Sequence, residues 1–100
     1  MSGYVPIDLA LDTLRIRILR AIRHFDWCEP MDIADVLNIP SSRDDHRMRN
    51  AFDTQIGRMA RSGLLDRRPS DRKSISLYLY RISDAGRLRL TEAVPERIAV

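Results

Sequence analysis

The chain has 100 residues, of which 44% are hydrophobic and 31% charged, and these proportions predict one globular domain rather than a disordered segment. A single cysteine, Cys28, excludes a disulfide framework and a cysteine-based zinc site, and it is typical of a protein kept in a reducing cytoplasm. No stretch approaches the roughly 20 apolar residues that cross a bilayer, and the first residues lack a signal-peptide pattern, so we expect a cytoplasmic protein with no membrane partner.

The first predicted helix covers residues 6–25 and begins at Pro6, whose fixed φ suits a first helical turn. One apolar stripe at helical spacing is expected to pack inward, formed by Ile7, Leu11, Leu14, Ile18, Ala21, Ile22 and Phe25. Three further apolar residues lie off that stripe, namely Leu9, Ile16 and Leu19. They are either scattered surface residues, which are common, or the contact through which two copies of this helix pair in a homodimer.

A short second helix is predicted over residues 31–37, and Pro40 ends it because proline removes a backbone donor and restricts the residue before it. The third predicted helix covers about residues 43–62, with Ser41 or Ser42 as its N-cap. A second start is compatible with the sequence: a loop over residues 41–45, followed by a helix from near Asp45.

The third helix separates into an apolar and a polar face. The apolar face contains Met48, Phe52, Ile56 and Met59, and it is expected to pack on the core. The polar row carries no acidic residue and contains Arg43, Arg47, Asn50, Thr54 and Arg61, flanked by His46. Gly57 lies in the same row, where glycine weakens a helix by about 1 kcal/mol relative to alanine. Either Gly57 marks a point where a phosphate backbone comes close to the helix, or it has no functional role.

A β-hairpin is predicted next, with strands over residues 64–68 and 74–82 and turn residues between them. The second strand alternates, but both of its faces carry bulky residues, so the alternation does not identify the core face. Ser83 and Asp84 cap a last helix over residues 85–94, and residues 95–100 are expected to form a frayed tail. The sequence therefore predicts one domain over residues 1–100, with its core over about 7–94, that is mainly α-helical with a small β-hairpin (α+β).

The basic residues concentrate in one part of the chain. Residues 41–73 contain nine basic side chains and five Asp, a net charge of +4, although the whole chain carries only +3. Sixteen of the seventeen cations are Arg, whose planar guanidinium binds phosphates and guanine edges through two hydrogen bonds at once. A GC-rich genome also favours Arg, so the distribution of charge is more informative than the composition.

Three segments together resemble a winged helix-turn-helix domain. Residues 31–40 (MDIADVLNIP) resemble the first half of a bacterial helix-turn-helix, and residues 56–68 (IGRMARSGLLDRR) look like the end of a recognition helix with the first wing strand. Residues 80–87 (YRISDAGR) look like the second wing strand leading into the last helix, as in MarR-like and PadR-like regulators. The resemblance covers roughly residues 10–94, and it departs from a compact helix-turn-helix by several extra residues between Pro40 and Gly63.

This resemblance implies a sequence-specific transcriptional regulator that binds double-stranded DNA as a homodimer, without a metal or cofactor. The recognition helix, residues 43–62, enters the major groove, where Arg suits guanine and Asn suits adenine, while the wing, residues 64–82, lies on the backbone or in the minor groove. The expected DNA contacts are Ser42, Arg43, His46, Arg47, Asn50, Thr54, Arg61, Arg68, Arg72 and Lys73.

Two other classes of function are alternatives to DNA binding. An enzyme is not expected, because the sequence lacks a glycine-rich phosphate loop, a nucleophile elbow and a His–carboxylate set at motif spacing. A protein-interaction module without DNA binding is the alternative, since winged helices also serve as docking domains. Its contacts are expected at Leu9 and Ile16, or at Tyr78 and Tyr80.

Overall fold

A computed structural model of the protein describes residues 7–41, 43–70 and 77–93, and for residues 7–12 and 93 it describes the backbone alone. Within these ranges the chain forms four helices and one antiparallel hairpin, which confirms the predicted α+β class. The elements in chain order are α1 (Ile7–Ile22), α2 (Pro30–Val36), α3 (His46–Arg61), β1 (Leu65–Pro69), β2 (Tyr78–Ile82) and α4 (Asp84–Ala93). None of the helices in the described ranges is both long and apolar enough to cross a bilayer.

Helix α2 begins and ends through local interactions that the sequence supplies. Pro30 occupies the first turn, and the carboxylate of Asp32 accepts a hydrogen bond of 2.9 Å from the backbone N–H of Glu29, the N-cap residue. At the other end Asn38 adopts a left-handed φ of +56°, a conformation that asparagine tolerates better than most residues. The chain then leaves the helix with the Ile39 N–H bonded to the Ala34 carbonyl at 2.9 Å.

Helix α3 starts three residues later than position 43. Its N-cap is Asp45, whose carboxylate accepts a 3.1 Å hydrogen bond from the Met48 N–H, so the prediction of a serine cap is wrong. The Ser41 carbonyl instead accepts the N–H groups of Asp44 and Asp45, both at 3.0 Å, and this closes a turn ahead of the helix. The later of the two starts compatible with the sequence is therefore the observed one.

The hydrophobic core lies where α1, α2, α3 and the hairpin meet. The largest fully buried side chains are those of Phe52, Ile18, Leu19, Ile22, Ile33, Met59 and Gln55. Met48, which was predicted to face inward, is 47% exposed because it lies in the first turn of α3, beyond the buried part of that helix. Gln55 is the buried residue on this side of α3, and its Oε1 accepts a 2.8 Å hydrogen bond from Arg15 Nε on α1.

The prediction that Leu19 forms a dimer contact is also wrong, because this side chain has no exposed surface. Its Cδ2 lies 3.2 Å from the point where a Cβ at Gly86 would stand, so α4 covers this side of α1. The same ideal Cβ would be only 2.2 Å from the Leu64 carbonyl oxygen, which leaves no room for any side chain at Gly86. Helix α4 thus widens the buried face of α1 beyond the predicted stripe.

The hairpin is joined to the connector between α1 and α2. Strands β1 and β2 pair in antiparallel register, with Leu65 opposite Ile82 and Arg67 opposite Tyr80. Cys28 then forms a bridge on the free side of β2, exchanging backbone hydrogen bonds of 2.9 and 2.8 Å with Tyr80. Leu79 and Tyr80 point to opposite faces and both are 8% exposed, so each face of β2 is covered, which explains why alternation did not identify the core face.

Candidate nucleic-acid interface

The exposed side of α3 gathers most of the predicted DNA contacts on one surface. At 100° per residue, five exposed side chains fall within about 100° of the helix circumference. We call this surface the outer α3 face; its members are His46, Arg47, Asn50, Thr54 and Arg61. The buried residues Phe52, Ile56 and Met59 lie on the opposite side, so packing on the core orients the outer α3 face toward solvent.

The acidic residues near this face are turned to other partners. Asp53 borders the outer α3 face, but its carboxylate lies 3.4 Å from Arg49 Nε on the side away from it. Asp45 caps the helix, and Asp44 accepts a 3.1 Å hydrogen bond from the Ser41 hydroxyl. None of these three carboxylates forms an ion pair with a cation of the outer α3 face.

Arg43 does not lie on the helix. It is an exposed residue in the turn that precedes α3. Ser42, predicted beside it, lies outside the described residues. Arg43 and Arg47 form no ion pair with any described residue.

Arg58 is an exposed cation that was not among the expected contacts. It lies one turn after Thr54 and about 20° beyond the edge of the outer α3 face. The signal was present in the sequence, because Thr54, Arg58 and Arg61 follow one another at spacings of four and three residues, which places them along one side of a helix. With Arg58 included, the C-terminal half of the exposed surface carries two cations.

The arginines of the hairpin are held by aromatic rings. The Arg68 guanidinium lies 4.6 Å from the centre of the Trp27 ring, and Arg81 stacks on the same ring at 4.5 Å. Arg81 also pairs with Asp66 at 3.2 Å across the two strands. Arg68, a predicted DNA contact, is thus exposed but fixed against the connector between α1 and α2. Arg72 and Lys73, predicted at the tip of the wing, lie outside the described residues.

The surfaces proposed for protein contacts are smaller than the sequence suggested. Ile16 is partly buried and packs against the core, and the side chain of Leu9 lies outside the described part of the chain. Tyr80 is buried, and the Tyr78 ring is covered by the Arg67 guanidinium at 4.3 Å. Leu88 on α4 is a large apolar residue with 61% of its surface exposed.

The thiol of Cys28 is buried and stays protonated at neutral pH. Burial, and then the nearby charges of Asp32 and Glu29, raise the pKa of this thiol from 9.0 to about 12. A thiolate nucleophile is therefore absent near pH 7. In the described ranges, no three His, Cys, Asp or Glu side chains lie close enough together to hold a metal ion.

Comparison with known proteins gives no match to a family model, to a curated protein or to a solved structure.

Proposed function

We propose that this protein is a sequence-specific transcriptional regulator that binds double-stranded DNA through a winged helix-turn-helix. The observation that carries the proposal is the outer α3 face: five exposed polar or cationic side chains on one surface, with the neighbouring carboxylates engaged elsewhere. Such a surface matches the anionic, acceptor-rich floor and walls of a DNA groove.

The dimensions of α3 suit the major groove. Its 16 residues give a helix about 24 Å long, and a helix with side chains fits a groove about 12 Å wide. Arg47 and Asn50 lie in the N-terminal half, where side chains of a recognition helix reach base edges. Thr54 and Arg61 lie farther along and suit the phosphates that border the groove.

The elements around α3 support the same assignment. Helix α2 contacts α3, and the nine residues 37–45 connect the two helices, a longer connection than in a compact helix-turn-helix. Strand β1 follows α3 after a two-residue turn and Leu64, so the hairpin stands beside the C-terminal end of α3. Arg68 is already ordered by its stack on Trp27, so its binding to a phosphate loses little conformational entropy. The hairpin is then the wing that contacts the DNA backbone.

A two-fold DNA site read by a homodimer is part of the proposal, since most small regulators of this kind bind as two-fold pairs. With Leu19 buried, the exposed Leu88 on α4 and the partly buried Ile16 remain as apolar contacts for a second copy. Size-exclusion chromatography with light scattering tests this part separately from DNA binding. If this measurement shows a monomer at high protein concentration, the homodimer is refuted, and the proposed DNA contacts are unaffected.

The decisive experiment is the selection of duplexes from a random pool at about 150 mM salt, an ionic strength at which nonspecific binding is weak. Enrichment of one motif is expected, and a two-fold motif would support the dimer. Arg47→Ala should then weaken binding to the selected duplex by about 1–3 kcal/mol, roughly 5- to 150-fold, and weaken binding to mixed-sequence DNA much less.

Arg17→Ala is the matched control for this experiment, because Arg17 is an exposed arginine on α1 and its loss changes the net charge equally. It should leave the affinity for the selected duplex nearly unchanged. An equal loss for Arg47→Ala on both kinds of DNA would reassign Arg47 to a phosphate contact. Failure of the wild-type chain to bind any duplex at low salt would refute the proposal and favour a protein-interaction module.

A further inference from the structure

The fold requires glycine at two of the three described glycine positions, but not at Gly57. Gly63 ends α3 with a φ of +89°, a conformation that side chains rarely adopt. At Gly86 a Cβ would collide with the Leu64 carbonyl oxygen. At Gly57 the backbone is helical and an added Cβ would meet only one atom, Arg61 Nη1, at an ordinary contact distance of 3.7 Å.

The position of Gly57 places this bare stretch of backbone on the outer α3 face. It lies in the interior of α3, and its direction around the helix falls between those of His46 and Asn50. Glycine destabilises a helix interior, so Gly57 lowers the stability of the fold although the packing does not require glycine there. The only described side chain near the space left by the missing Cβ is the guanidinium of Arg61.

We infer that Gly57 is the point at which a DNA phosphate backbone lies directly against α3. The inference rests on the proposed function and deepens it by naming where the duplex touches the helix. Gly57 stands seven residues after Asn50, about 10.5 Å along the helix axis, in the C-terminal half of α3. A straight recognition helix contacts base edges near its N-terminus, and the curved groove turns away from its C-terminal half. If Asn50 reaches a base edge, Gly57 lies at the groove edge, where a phosphate strand passes.

Gly57 contributes space at this point rather than a hydrogen bond. The N–H groups in a helix interior are already bonded to carbonyls of the preceding turn, so none is available to a phosphate. The missing side chain lets the phosphate strand come close enough for Arg58 and Arg61, which lie one and four residues later, to reach it. Gly57 is thus a positioning residue for two phosphate contacts.

The test compares full-length Gly57→Ala and Gly57→Leu with the wild-type chain, using a labelled mixed-sequence duplex of about 30 base pairs, three helical turns. Both variants should fold, and Gly57→Ala should melt about 4–8 °C higher than wild type because alanine favours the helix. Binding should nevertheless weaken with side-chain size, by about tenfold for Gly57→Leu. The plot of log affinity against log salt should also become shallower by about one to two units, because one or both of the phosphate contacts made by Arg58 and Arg61 are lost.

Ala85→Leu is the matched control, because it introduces the same leucine side chain at an exposed position on α4, adding one carbon fewer than Gly57→Leu. It should change neither the affinity nor the salt dependence. If wild type binds the duplex and Gly57→Leu binds it equally well with the same salt dependence, the inference is wrong and the proposed function stands. A lower melting temperature for Gly57→Ala would also overturn it, since the fold itself would then require glycine. If wild type binds no duplex, the proposed function fails and the inference with it.

Discussion

The stability lost with the hydrogen bond between Arg15 and Gln55 should depend on which of the two partners is replaced. Arg15→Met keeps an unbranched side chain on α1 but removes the donor, and leaves Gln55 Oε1 without the Arg15 donor in a site only 2% exposed. A buried polar group left unsatisfied costs about 1–3 kcal/mol, so we expect a loss near 2 kcal/mol. In a domain of this size that lowers the melting temperature by roughly 8–16 °C.

Replacing the acceptor, Gln55, should lower the free energy of unfolding much less. In Gln55→Leu the inner face of α3 becomes apolar, and Arg15, which is only half-buried, turns its guanidinium to water. We expect a loss below about 1 kcal/mol, and the double variant should resemble Gln55→Leu because no buried group is left unsatisfied. Urea unfolding followed by far-UV circular dichroism measures all three. Equal losses for the two single variants, adding up in the double variant, would refute this account of the contact.

Two further substitutions test the core and the thiol. Leu19→Ala should destabilise the fold by about 2–5 kcal/mol in thermal unfolding, because Leu19 has no exposed surface; a loss below about 1 kcal/mol would mean that it is not packed as described. Cys28 should resist alkylation at pH 8 until the protein unfolds, since burial raises the pKa of its thiol to about 12. The stability that this raised pKa provides is fully present below about pH 9, and about 4 kcal/mol of it is lost as the pH rises toward 12. Cys28→Ala should lack this decrease. If the wild type and Cys28→Ala lose the same stability between about pH 9 and 12, the raised pKa of Cys28 is contradicted.

The sequence predicted the order and type of the elements because their signals are local. Helical periodicity gave the buried side of α3, with Phe52, Ile56 and Met59 all buried. Proline and glycine marked the breaks on either side of that helix, at Pro40 and Gly63. The exposure of the outer α3 face followed from the same periodicity, since whatever lies opposite a buried stripe faces solvent.

What the sequence did not predict depends on contacts between distant residues. Leu19 is buried because α4, almost 70 residues later, packs on α1 at Gly86. Gln55 is tolerated in the core because a donor 40 residues away in sequence reaches it. The choice of Asp45 as the cap, against the nearby serines, depends on how the Ser41 carbonyl closes the preceding turn. Periodicity and propensity contain no information about any of these contacts.

Ser83 joins three ends of the fold through its hydroxyl and its backbone N–H. It donates to the Gly63 carbonyl at the end of α3 and accepts from the Gly86 N–H in the first turn of α4, while the Ser83 N–H bonds to Leu64 beside β1 at 3.2 Å. The hairpin therefore cannot open locally without uncapping α4 and loosening the chain after α3. These three ends belong to one cooperative unfolding unit, in which the exit of α3, the base of the hairpin and the start of α4 are protected from solvent or exposed together.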